Sequence, residues 1–186
     1  MRLLPAASLA ATLVTLASAT GAAHASDWVI DPETSAVTFT LSAFNKEETG
    51  QFETFGADIS LNPEDLSTAS IRATIETGSV SISNGQYTSA MRGSAGLGVS
   101  DHGEAVFVSE QVEATETGYA ATGTLTIKGQ TQPSVLNFTL EITGDRAVAE
   151  GQLSITRGEF EIGESSWSDV SEMVEVQVKI EADRAQ

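Results

Sequence analysis

"GYAATGTLTIKGQTQPSVLNFTLEI", residues 118–142, reads as two strands joined by a turn. Tyr119, Ala121, Gly123, Leu125 and Ile127 alternate with Ala120, Thr122, Thr124, Thr126 and Lys128. After a turn at Gly-Gln-Thr-Gln-Pro the alternation resumes with Leu136, Phe138, Leu140 and Ile142. A period of two sustained this long gives each strand one apolar and one polar face. Periodicity leaves open what the apolar face covers: the protein's own side chains, or a ligand.

The same pattern recurs through the chain. Val37, Phe39 and Leu41 alternate with Thr38 and Thr40, and Ile59 with Leu61, Ile71 with Ala73 and Ile75, and Val80 with Ile82 come after them. Phe107 sits between Val106 and Val108, and Leu153 pairs with Ile155. The last run places Val174, Val176, Val178 and Ile180 on one face and Glu175, Gln177, Lys179 and Glu181 on the other. Gly, Asn, Asp and Pro punctuate these runs at short intervals, as antiparallel meanders require. Two segments depart from the pattern. "NPEDLS" offers Asn62 as a helix N-cap and Pro63 as first helical residue, which predicts one short helical turn. Asn84 to Gly103 carries five glycines and no alternation, and reads as a long Gly-rich loop of the kind that forms lids or binding elements. The fold predicted is all-β: an antiparallel β-barrel of about eight to ten strands, closed because bare strand edges invite aggregation.

Composition narrows the function. Arg2, the apolar run Leu3–Ala19 and the small residues Ala23 and Ala25 form a secretory signal peptide over residues 1–25, with cleavage between Ala25 and Ser26. The mature domain is then 26–186, exported to the periplasm as a soluble protein without stable membrane insertion. Cysteine is absent, so neither a disulfide framework nor a lipidated N-terminal Cys is available. Losing Arg2 takes nine basic residues to eight against 26 acidic, and the formal charge from −17 to −18. Such a surface repels phosphate backbones, which argues against nucleic acid as a partner.

Catalytic patterns are missing. His102 is the one histidine of the mature chain, there is no G-x-S-x-G elbow, and "GSAGLG" lacks the lysine and spacing of a phosphate loop. "DHGE" at 101–104 reads as a solvated turn rather than a cation site. The chain reads as a non-enzyme needing no cofactor and no metal. Inward Val, Ile, Leu and Ala with Phe39, Phe107 and Phe138 suit either a filled core or an apolar ligand.

Four segments carry a family resemblance. "WVIDPETSAVTFTL" (28–41), "GQFETFGADISLNPEDLSTASI" (50–71), "GTLTIKGQTQPSVL" (123–136) and "LSITRGEFEIGESSWSD" (153–169) resemble, in order, the motifs of the YceI-like family of periplasmic, lipocalin-like barrels that bind polyisoprenoid chains. The resemblance implies a barrel that holds an isoprenoid lipid, a quinone or a polyprenyl chain, in its interior. Pocket candidates are Phe39, Leu41, Ile59, Phe107, Leu125, Ile127, Phe138, Leu140, Phe160, Val176 and Val178. Met91, Leu97 and Val99 are the apolar contacts of a mobile lid formed by the Gly-rich segment. Trp28 and Trp167 read as packing residues, and Arg157 as the partner of a nearby acid. The chain departs from the family where Glu161 replaces a glycine of F-G-I-G. It departs again where Gly96-Leu97-Gly98 and His102-Gly103 stand in place of aromatic residues near the barrel mouth, which bears on ligand affinity and size rather than on fold. The competing reading is a filled-core barrel serving as a stress-related or protein-interaction module through its acidic surface. The identity of the lipid, and whether the barrel forms a homodimer, are not legible.

Overall fold

The computed structural model describes residues 27–185. The expected signal peptide and its Ala25–Ser26 junction lie outside the described residues. Eleven strands run in chain order: β1 (Asp27–Ile30), β2 (Ala36–Ala43), β3 (Lys46–Phe52), β4 (Phe55–Asn62), β5 (Asp65–Glu76), β6 (Val80–Ile82), β7 (Glu104–Ala114), β8 (Tyr119–Ile127), β9 (Gln130–Thr143), β10 (Arg146–Thr156) and β11 (Met173–Arg184). All pairings are antiparallel, and eight strands close a ring in the order β1-β4-β5-β7-β8-β9-β10-β11 and back to β1. β11 makes the closure possible by pairing twice on one side. Its last residues, Ala182 to Arg184, pair with β1, and its first half, Glu175 to Lys179, pairs with β2. β3 and the three-residue β6 extend the sheet beyond β2.

Alternation places one set of side chains inside. Along β8, Ala121, Leu125 and Ile127 are buried, and along β11 Val174 and Ala182 are buried. The β8–β9 turn is tighter than the expected Gly-Gln-Thr-Gln-Pro. Lys128 and Gly129, at φ 50° and 76°, form a two-residue turn, and β9 starts at Gln130. Positive φ at both central residues matches the twist of the flanking strands, which is why such turns dominate two-residue hairpins. Pro133 therefore lies within β9. β10 pairs with β9 only as far as Gln152↔Asn137, so Pro133 occupies a stretch with one neighbour, where a strand tolerates proline.

Two further expectations are corrected. "NPEDLS" forms no helical turn: Asn62 Oδ1 accepts from the Glu64 N–H (3.0 Å) and Asn62 pairs with Asp65 across the β4–β5 hairpin. The Gly-rich segment is not an open loop. Gly85–Arg92 forms a helix, α1, capped by Asn84 Oδ1 accepting from the Gln86 N–H (3.0 Å). Its C-terminal carbonyls are then taken up: Leu97 donates to Met91 (2.7 Å) and Gly98 to Gly93 (2.9 Å).

Candidate functional site

The bore of the barrel holds two apolar cavities. The outer, about 140 Å³, lies toward α1 and the 157–170 loop. The inner, about 110 Å³, lies toward β1. An engineered protein cavity of about 150 Å³ with an aliphatic and aromatic lining stays dry and binds benzene, whereas native interiors keep few voids larger than water. The apolar face of the strands thus covers part core and part empty space.

The expected lining residues divide between the two. Phe39, Leu41, Phe107, Leu125, Ile127 and Val176 line the outer cavity, Ile59, Phe138 and Leu140 the inner, and Val178 both. Phe160 is the exception. It sits in a single 3-10 turn, Arg157–Phe160, is 2% exposed, and packs in the core without lining either cavity. Met91 and Leu97 line the outer cavity, while Val99 only packs against the surrounding core. Leu97, at 4% exposure, is a core residue rather than a loop contact awaiting a ligand. Ala73, Ile75, Leu136, Leu153 and Ile155 also line the bore. They carry the same period-two signal and were legible by it. Trp28 and Trp167 are more than packing: they line the inner and outer cavity respectively. Trp28 Nε1 donates to the Leu61 carbonyl (3.0 Å), and the Arg184 guanidinium lies 4.6 Å above its ring centroid.

A surface groove of about 220 Å³ between α1, the β2–β3 hairpin and residues 166–170 shares Leu41, Met91 and Trp167 with the outer cavity. That overlap makes it the mouth. α1 buries none of its own residues. Polar bonds tether it to β6: Thr88 Oγ1 donates to the Ile82 carbonyl (3.1 Å) and Arg92 Nη2 to the Val80 carbonyl (2.8 Å). Phe44, 58% exposed at φ 53°, stands at the hairpin tip beside the mouth.

Arg157 and Thr77 are the polar residues of the outer lining. Arg157 is 3% exposed and pairs, as expected, with an acid: Nη2 donates to Glu172 Oε1 (2.7 Å). Nε donates to the carbonyl of Ser171 (3.0 Å) and Nη1 to that of Ile162 (2.8 Å), and the carbonyls of Trp167 and Val170 share Nη2 with Glu172 (3.1 Å each). The guanidinium is committed to holding the loop that carries Trp167. Thr77 Oγ1 donates to the His102 carbonyl (2.6 Å). Glu161 adopts a left-handed backbone at φ 55°, and its carbonyl accepts from Lys128 Nζ (2.6 Å).

Shifted ionisations lie on the outer faces and at the strand ends. Hydrogen bonds from Lys179 and Arg146 hold the Glu181 carboxyl below its ordinary value, and Glu181 in turn raises Arg146. Among the described residues, no three His, Cys, Asp or Glu side chains come together as a metal set, and no helix is long and apolar enough to cross a membrane. What the bore offers a ligand is apolar contact.

Comparison with known proteins agrees with this geometry. Residues 28–182 match the YceI-like domain. A UPF0312 protein of Ectopseudomonas mendocina is 31% identical over 95% of this chain and 97% of its own. The crystal structure of Burkholderia cenocepacia BcnA superposes with a TM-score of 0.77 at 26% identity, covering 82% of this chain and 98% of BcnA. A polyisoprenoid binding domain from Saccharophagus degradans shares the fold with a TM-score of 0.66 at 16% identity, over 86% of this chain and 99% of that domain.

Proposed function

The chain belongs to the YceI-like family, and on that footing we propose that it is a non-catalytic periplasmic carrier for an isoprenoid-type lipid, a quinone or polyprenyl chain. The observation that carries this reading is the pair of apolar cavities placed one after the other along the barrel bore. Support comes from the fold shared with a polyisoprenoid binding domain. Each buried methylene contributes roughly 0.8 kcal/mol, so a chain of several isoprene units gains affinity without polar recognition. The same voids weigh against a filled barrel working only through its acidic surface. The signal peptide at 1–25 is the route to the periplasm, and α1, whose Met91 lines the outer cavity, is the lid over the mouth.

Native mass spectrometry of the exported protein tests the reading. We expect a mature chain beginning at Ser26 with a bound apolar species that denaturation releases. A single ligand-free peak across independent preparations, unchanged after incubation with prenols, would contradict it.

A further inference from the structure

The two cavities meet at a level of shared lining residues, called the waist below, and four strands define it. Along β11, Val174 and Val176 line the outer cavity, Val178 both, and Ile180 and Ala182 the inner. β5 repeats the order, with Thr77 just beyond its end outer, Ala73 and Ile75 shared, and Ile71 inner. On β9 Leu136 is shared while Phe138 and Leu140 are inner. On β10, Leu153 and Ile155 are outer and Ala147 and Ala149 inner. The residue between those two pairs is Gly151. It pairs with Val178 on one side and Phe138 on the other, so β10 brings no side chain to the waist.

The missing side chain has a geometric consequence. A Cβ at Gly151 would meet Val178 Cγ2 at 3.0 Å, Leu136 Cδ1 at 3.1 Å and Phe138 Cβ at 3.1 Å. Val178 and Leu136 therefore lean across the space a larger residue would fill. A side chain at 151 would press both toward the bore.

We propose that the inner cavity is a separate tail subsite, and that Gly151 is the specificity residue that lets an isoprenoid tail cross the waist into it. Short prenyl chains occupy the outer cavity alone. Chains long enough to pass Val178 and Leu136 fill both and gain a second increment of affinity. This rests on the carrier reading above, and its test separates the two.

The chain has two tryptophans, and each lines a different cavity. Trp28→Phe leaves Trp167 to report the outer cavity, and Trp167→Phe leaves Trp28 to report the inner. Geraniol should change the fluorescence of Trp167 only. Geranylgeraniol should change both, and bind at least about tenfold more tightly, the equivalent of about two buried methylenes. Gly151→Ala should abolish the Trp28 response to geranylgeraniol and bring its affinity down to that of geraniol. Adding Leu136→Ala to Gly151→Ala should restore the Trp28 response, which a folding defect would not do. If Trp28 answers geraniol as it answers geranylgeraniol, or Gly151→Ala folds and leaves both responses intact, the waist is overturned while the carrier reading stands. If neither tryptophan responds to any prenol, both fail.

Discussion

At Arg157 the chain buries a full positive charge beside an apolar cavity, and the cost of burial is offset by four main-chain carbonyls and one carboxylate. Because those carbonyls belong to residues 162–171, the side chain holds the loop that positions Trp167 at the mouth. Arg157→Ala leaves them without their donor, at about 1–3 kcal/mol for each carbonyl that stays buried and unpaired, and should lower stability well beyond the loss of a surface ion pair. Glu172→Gln should cost about 1 kcal/mol or less, because Glu172 is 62% exposed and water screens the pair. Urea unfolding of both variants checks this, and equal losses would mean that the ion pair, not the carbonyl network, carries the stabilisation. The pairing of Arg157 with an acid was legible from the sequence. The four carbonyls were not, because they come from an irregular loop whose path no periodicity encodes.

At the scale of elements, long strands were legible and short irregular ones were not. Asn62 and Asn84 show why. Each side chain accepts from the N–H two residues on, at the same 3.0 Å, yet one opens a hairpin and the other a helix. Asparagine at such positions satisfies a free N–H in either conformation, so the choice falls to the residues downstream. After Asn62 the chain returns at once to pair β5 with β4, whereas within α1 only Tyr87 and Met91 among the large apolar side chains, one helical turn apart, pack against the core. α1 is thus held by its polar tethers to β6 and by little apolar burial, the character of a segment that opens locally. Its amides should exchange faster than those of β8 and β9, and geranylgeraniol should slow them selectively. Unchanged exchange of α1 in the presence of bound prenol would remove it as the lid. Leu97→Asp, in contrast, should lower stability even without ligand, since Leu97 is already buried.

For the whole molecule, the need to hide strand edges favours closure, and the ring of eight provides it through the double pairing of β11. Every pocket candidate but Phe160 lines at least one of the two cavities, and Phe160 lies outside any strand. What alternation could not show is the split of the interior into two spaces. Voids depend on which side chains meet across the bore, and that is a property of register. Methyl NMR during titration with geranylgeraniol tests most directly whether an apolar chain occupies the bore. Shifts are expected at Leu125 and Val176 in the outer cavity and at Leu140 and Ile180 in the inner. Val29 and Val135, which point to solvent at 61% and 43% exposure, should stay in place. Shifts confined to Val29, Val135 and other outward methyls, with the bore methyls unmoved, would contradict a lipid held inside the barrel.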